Sequence, residues 1–147
     1  MEYLTNHDLF YVNQIVTGAV NTFNYFALEA ACAGQYAYGA SADVPAQAAT
    51  LLDSLLHKTP FLSGNRRTAY IATLTFLNAN GYATTVDDEE AVRLVAAVLA
   101  RTTQPLDMVK AMAAPAKESL TAIPMRQLIT HECNHHARAL TLLSEGD

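Results

Sequence analysis

The chain has 147 residues, of which 51% are hydrophobic and 16% are charged, and its formal net charge is −5. This length and apolar fraction indicate one globular domain with a sizeable core, and they exclude an intrinsically disordered protein. Only nine residues are Lys or Arg. The overall charge therefore gives no reason to expect binding to nucleic acid or to an anionic membrane, since both favour excess positive charge.

The N-terminal part of the chain is predicted to form two helices. Thr5 is a suitable N-cap, with Asp8 three residues later, and apolar residues follow at helical spacing. Gly18 is expected to end this first helix. A second helix is predicted over residues 25–36.

The third and fourth helices flank a short loop. Asp43 and Pro45 predict the start of the third helix, which should end before Pro60, because proline disfavours helical geometry in the preceding residue. The fourth helix is predicted over residues 65–80, with Gly81 just beyond its end.

The remaining pattern is also helical. Acidic residues 87–90 suit a helix N-terminus, and that helix is predicted to run to Arg101. Two further helices are predicted over residues 105–113 and 124–144. Because no alternating strand pattern of useful length appears, we predict an all-α, compact single-domain helical bundle of six or seven helices over residues 1–147.

The turn SGNRR, residues 63–67, is the strongest chemical signal. A helix N-terminus offers unpaired N–H groups and a positive dipole end. Gly64 allows close approach of a phosphate, and the guanidinium of Arg66 or Arg67 is suited to bind its oxygens. The alternative is an ordinary helix capped by Asn65, with two solvated arginines.

The segment around this turn resembles the central motif of the Fic/Doc (Fido) family, H-x-F-x-D/E-G-N-G/K-R. The matching residues are Phe61, Gly64, Asn65, Arg66 and Arg67. The segments at residues 3–5, 26–39, 48–56 and 67–82 also resemble the death-on-curing (Doc) branch. The similarity covers about residues 3–100, and residues 105–147 are then a C-terminal helical extension.

The resemblance implies a Fido fold that uses ATP or another nucleotide with Mg²⁺. Gly64, Asn65, Arg66 and Arg67 would hold the phosphates, and Phe61 would anchor the loop. Family members transfer AMP or a phosphoryl group to a protein hydroxyl, and the Doc branch implies a toxin with a cognate antitoxin and elongation factor Tu as its target.

Two residues depart from the motif. Thr59 stands at the histidine position and Ser63 at the acidic position. A threonine hydroxyl cannot accept a proton as imidazole does, and losing a general base typically costs about 10²- to 10⁴-fold in rate. A serine is also a poorer Mg²⁺ ligand than a carboxylate. We therefore expect a retained phosphate site with weak or lost transferase activity, or a non-enzymatic partner-binding module.

His57 is a possible substitute base. If the third helix runs through Lys58, His57 lies about 200° around the helix from Thr59 and faces elsewhere. If the helix ends near Leu56 and the next residues are extended, His57 shares a side with Thr59 and reaches the site. The sequence leaves both geometries open.

The C-terminal stretch HECNHHARAL suggests a different class of function. His131 and His135 lie at i and i+4 on one helix face, a spacing used for Zn²⁺, with Glu132 as a would-be general base. A third ligand is not evident. The alternatives are a surface histidine cluster, a metal site and a metallohydrolase site.

The chain end also carries a short family-like pattern. Residues 141–146, TLLSEG, resemble the inhibitory-helix pattern of some Fic proteins, whose glutamate pairs with a second motif arginine. Tyr70 stands at that arginine position here, which favours a chance match.

The sequence predicts a cytoplasmic protein with free thiols. Cys32 and Cys133 are far apart and do not form a disulfide framework. Neither a signal peptide nor an apolar run of membrane-spanning length is visible.

Overall fold

The computed structural model describes residues 1–116 and 123–147. The described elements, in chain order, are α1 (Asn6–Thr17), α2 (Tyr25–Ala33), a 3₁₀ turn (Gly34–Tyr36), α3 (Val44–Lys58), α4 (Asn65–Ala79), β1 (Tyr82–Thr84), α5 (Asp88–Leu99), α6 (Pro105–Met112), β2 (Ala113–Pro115), α7 (Met125–His135) and α8 (Ala137–Ser144). The protein is thus mostly helical, and residues 117–122 of the C-terminal extension lie outside the described part.

Helix α4 is the centre of the fold. Every residue from 68 to 77 is buried, so this helix has no solvent-facing stripe along that stretch. It packs against α3, α7, α1 and α8. The loop before it and its first turn, residues 59–67, are therefore presented on a rigid support.

Several helix ends form as the sequence predicts. The side chain of Thr5 accepts a hydrogen bond from the backbone N–H of Asp8, whose carboxylate accepts one in return from the N–H of Thr5. Gly18 ends α1 with a left-handed φ of 73°. Asp43 caps α3, which ends at Lys58 before Pro60.

The helix count is higher than predicted, because eight α-helices lie in the described ranges. The predicted helix over residues 124–144 is two helices, α7 and α8, which meet at His136 (φ −113°, ψ 32°). The predicted helix over residues 25–36 is α-helical only to Ala33 and then tightens into a 3₁₀ turn. The antiparallel strands β1 and β2 were not predicted, because three-residue strands are too short to show alternation.

Both cysteines are free and buried in the described structure. Burial raises the pKa of the Cys32 thiol and of the Cys133 thiol to about 11. The prediction that they form no disulfide framework is confirmed. Among the helices described, none has the length and apolar character needed to cross a bilayer.

A buried ionic network fixes the junction between α7 and α8. Nδ1 of His136 lies 2.9 Å from Oδ1 of Asp88, and Nε2 lies 3.2 Å from Oε2 of Glu132, an ion-pair distance. Oδ2 of Asp88 accepts a hydrogen bond of 3.1 Å from the N–H of Ala139. The side-chain amide of Asn78 donates to Glu132. Helices α4, α5, α7 and α8 are thereby joined around one imidazole.

The surroundings of His136 favour its charged form. Burial by itself lowers the pKa of the imidazole, but the contacts with Glu132 and Asp88 outweigh this effect and raise the pKa above its ordinary value of 6.5. The ring therefore stays protonated to a higher pH than an ordinary imidazole, and it lies between two carboxylates.

This charge predicts a stability that falls with rising pH. The stabilisation is fully present below about pH 6.5, the pKa of unfolded histidine, and it is lost as the pH rises through the higher folded-state pKa. His136→Gln should lower the free energy of unfolding by about 3 kcal/mol at pH 6, because it removes the cation that lies between the buried carboxylate of Glu132 and the half-buried carboxylate of Asp88. Urea unfolding between pH 6 and pH 9 measures both effects. The exposed His7→Gln is the control, and an equal pH slope in both variants would contradict the assignment.

Candidate functional site

The loop between α3 and α4 is anchored by the ring of Phe61, which is 4% exposed. The backbone beside it pairs with an extended segment in an antiparallel bridge. The N–H of Leu62 donates to the carbonyl of Thr22 and the N–H of Asn24 donates to the carbonyl of Pro60, each at 2.8 Å. The apolar ring and the two backbone bonds fix the loop at its middle.

Asn65 holds the loop closed and does not cap the helix. Its side-chain Oδ1 accepts a hydrogen bond of 2.9 Å from the N–H of Phe61, and its Nδ2 donates one of 2.7 Å to the carbonyl of Phe61. The N-cap residue of α4 is Gly64, which makes no side-chain cap. The first N–H groups of α4 are consequently available to another acceptor.

Gly64 is required for both conformation and space. Its φ is +82°, a left-handed value that residues with a Cβ disfavour. A Cβ at this position would lie 2.3 Å from Cγ2 of Thr17 and 3.0 Å from Nδ2 of Asn13. Nδ2 of the buried Asn13 donates at 2.8 Å to the carbonyl of Ser63 and at 3.1 Å to the hydroxyl of Thr68. Helix α1 therefore supports the turn through the side chain of Asn13.

Three N–H donors converge on one carboxylate at the start of α4. The backbone N–H of Arg66 donates to Oδ1 of Asp147 at 2.9 Å, and the backbone N–H of Arg67 donates to Oδ2 at 3.1 Å. Nε of Arg67 also donates to Oδ2, at 3.0 Å. The Asp147 side chain is only 4% exposed. We call these three donors the oxyanion cradle.

The cradle is positioned independently of the carboxylate that fills it. Nη1 of Arg67 donates at 2.9 Å to the carbonyl of Val16 at the end of α1, which orients the guanidinium. The positive end of the α4 dipole adds to the two backbone donors. This arrangement recognises an oxyanion by geometry as well as by charge.

The two residues that depart from the family-like motif do not hold the loop. Thr59 is exposed and has a left-handed φ of 41°, an unusual conformation for a β-branched residue. The hydroxyl of Ser63 donates a long bond of 3.5 Å to the main-chain oxygen of Asp147. Neither side chain offers a base or a carboxylate to the cradle.

His57 follows the helical alternative of the two geometries considered. Helix α3 continues to Lys58. Nδ1 of His57 lies 2.8 Å from Oδ1 and 3.1 Å from the carbonyl oxygen of Asp53, one turn earlier. The imidazole is thus engaged along its own helix.

The C-terminal histidines lie on another part of the surface. The rings of His131 and His135 are parallel, with centroids 5.7 Å apart, and both residues are exposed. Glu132 points inward and is occupied by Asn78 and His136. Within residues 1–116 and 123–147, no group of three or more His, Cys, Asp and Glu residues is arranged to hold a metal ion.

Two residues of the candidate site, Asp147 and Asn13, were not predicted from the sequence. Asp147 lies 80 residues from Arg67, and a single acidic residue carries no signal for such a contact. Asn13 had a detectable signal, because it is polar beside the buried Leu9 and Val12 of α1. The family-like TLLSEG pattern pointed to Glu145, which is exposed, whereas Asp147 makes the contact.

Comparisons with known proteins give no match. No protein-family model, no curated protein and no solved structure is similar enough to this chain to match it.

The geometry at Gly64 predicts that an alanine at this position lowers stability by more than its left-handed φ alone would. Gly64→Ala should lose about 1–2 kcal/mol of stability from the left-handed φ and about 1–3 kcal/mol more from overlap with Thr17. The hydroxyl of Thr17 donates to the carbonyl of Asn13 and accepts from Nδ2 of Asn21, which restrains its rotation. Gly39→Ala is the matched control, because Gly39 has φ +93° and open space around it. Urea unfolding compares the two, and equal losses would contradict the steric argument.

Proposed function

We propose that the chain is a Doc-like Fido-fold protein that binds nucleotide phosphate groups at the start of α4. The observation that carries this proposal is the oxyanion cradle, in which Arg66 and Arg67 direct three N–H groups to one carboxylate. The family-like residues Phe61, Gly64 and Asn65 build the turn beneath it. The buried position of Phe61 supports the anchoring role that the resemblance implies, whereas Gly64 and Asn65, for which it implies phosphate contacts, shape the turn instead.

A phosphate fits the same donors in place of a carboxylate. Two of its oxygens can accept the backbone N–H groups of Arg66 and Arg67, and Nε of Arg67 supplies a charge-assisted bond. The guanidinium of Arg66 is close by, since its Nη1 would lie 2.1 Å from a Cβ placed on Gly146. A second cation is therefore available to a ligand with more than one phosphate.

Transfer chemistry is expected to be weak or lost. The position of the proton acceptor is occupied by Thr59 and that of the metal ligand by Ser63. Without a base, the barrier rises by roughly 3–5 kcal/mol. Phosphoryl transfer also depends on Mg²⁺ to neutralise developing charge, so a missing carboxylate adds to the loss. A phosphate-binding or partner-binding role, with an antitoxin-like partner, is the remaining activity.

Phosphate binding at the start of α4 can be tested by NMR. Inorganic phosphate or ATP should produce saturable shifts of the backbone amide signals of Arg66 and Arg67 in NMR titrations. The start of α5 is the internal control, because Asp87 already accepts from the N–H of Glu90 there. Absent shifts at millimolar ligand, or equal shifts at both helix starts, would contradict the proposal.

A matched pair of variants tests the guanidinium. Arg67→Gln should weaken ATP binding roughly tenfold, because a polyphosphate has more negative charge than the carboxylate it displaces. Arg93→Gln removes the same charge from an exposed site on α5 and should bind as the parent does.

The expected loss of transfer activity can also be tested. With labelled ATP, Mg²⁺ and elongation factor Tu, the parent chain should transfer little or no label. The double substitution Thr59→His with Ser63→Asp should raise transfer by about 10²-fold or more, because it supplies the base and the metal ligand together. Robust transfer by the parent chain would overturn the view that its catalysis is impaired.

A further inference from the structure

We propose that His131 and His135 form a binding site for one divalent transition-metal ion, such as Zn²⁺, on the surface of α7. The site is separate from the oxyanion cradle and does not depend on the proposed function. The protein supplies two imidazole ligands, and water completes the coordination of the ion.

The spacing of the two rings suits a shared ion. His131 and His135 lie about one helical turn apart, so their side chains project from the same face of α7. The planes of the two rings differ by 10°, and the ring centroids are 5.7 Å apart. Two imidazoles that bind one tetrahedral Zn²⁺ through bonds of about 2.0–2.1 Å have centroids roughly 5 Å apart. Because both residues are exposed, small side-chain rotations bring one nitrogen of each ring to a common ion.

A cavity beside the two rings has room for the remaining ligands. Its volume is about 190 Å³, and the polar residues in its lining include Asn78, Thr84 and Glu132. An internal water molecule requires at least two polar partners, which such a lining provides. The cavity therefore accommodates water around an ion that the two histidines hold.

The charge beside the rings favours a cation. Glu132 lines the cavity and is 1% exposed. Its Oε1 accepts from Asn78, whereas its Oε2 accepts no hydrogen bond from the described residues, although Nε2 of His136 lies 3.2 Å away. The buried ionic network contains the two carboxylates of Asp88 and Glu132 but only one imidazole. Negative charge is thus in excess even when His136 is protonated, and it attracts a cation to the cavity.

Helix α7 holds the two histidines on a firm support. It packs against α4 and α1, and the side chains of Leu128, Ile129 and Cys133 on its inner face are buried. Both ligands are therefore available on the outer face without any unfolding. Once one imidazole has bound the ion, the second binds it at a high effective concentration.

The type of ligand selects the ion. Imidazole nitrogen binds Zn²⁺, Cu²⁺ and Ni²⁺ well, whereas Mg²⁺ prefers oxygen ligands and gives up its water reluctantly. The positions left to water make this an open site, unlike a structural zinc site that four protein ligands close. The metal preference of the site thus differs from that of a nucleotide site, which uses Mg²⁺.

Calorimetric titration with Zn²⁺ tests the site on the untagged chain after treatment with EDTA and dialysis. The parent chain should bind one Zn²⁺. His131→Gln and His135→Gln should each bind about 10²-fold more weakly, because a single imidazole lacks the gain from a second ligand on the same helix. His7→Gln is the matched control, since His7 is exposed on α1, and its affinity should equal that of the parent.

The variants make the assignment decisive. Absence of Zn²⁺ binding by the parent chain, or equal affinities in the parent and both α7 variants, would overturn the proposal. An equally large loss of affinity in His7→Gln would show dispersed surface binding and would overturn it as well. Phosphate binding at the oxyanion cradle is measured separately, so none of these results bears on it.

A measurement on the parent chain locates the ion directly. Substoichiometric Ni²⁺, which is paramagnetic, should broaden the imidazole NMR signals of His131 and His135 before those of His7 and His57. Mg²⁺ at the same concentration should leave all four signals unchanged. Broadening that begins at His57 would place the ion beside Asp53, which lies 2.8 Å from that imidazole, and would contradict the proposal.

Discussion

The structure depends on the need of a buried helix to satisfy its first N–H groups. Helix α4 is enclosed along residues 68–77, and its N-cap residue, Gly64, has no side chain to accept from them. Asn65 is engaged with Phe61 and does not help. The first N–H groups of α4 therefore take an acceptor from outside the helix. In this structure, the side chain of Asp147 supplies it.

The buried ionic network explains how a distant residue reaches this position. Without the break at His136, a single helix over residues 124–144 would continue straight past the junction. The imidazole is held between Asp88 and Glu132, and α8 leaves the junction in a new direction. It then packs against α4 and α5. One charged side chain therefore sets the course of the segment that ends at the oxyanion cradle.

The sequence predicts the fold well where local chemistry decides the backbone. A cap, a glycine or a proline affects the backbone only within a few residues of its own position. The helix ends predicted from Thr5 with Asp8, from Gly18 and from Pro60 are confirmed. The break at His136 was not predictable, because the preference comes from Asp88, 48 residues away, and not from local propensity. The short strands were not predictable either, because three residues are too few to show an alternating pattern.

The candidate site likewise contains residues that local sequence identifies and residues that only the tertiary structure identifies. Gly64 and the two arginines were identified from the sequence because helix starts and arginines favour anions. The role of Asn65 was open between a cap and a motif residue, and only the fold around Phe61 decides it. Asp147 was missed because a tertiary contact between one carboxylate and a helix start has no sequence pattern.

The backbone conformation at Thr59 decides which side chains this position accepts without strain. Its left-handed φ of 41° is strained for a β-branched side chain, while histidine is among the residues that tolerate this region better. Its exposed side chain contributes little to holding the loop. A substitution of threonine by histidine would therefore relieve strain instead of adding it, so the backbone of this loop accepts an imidazole at position 59.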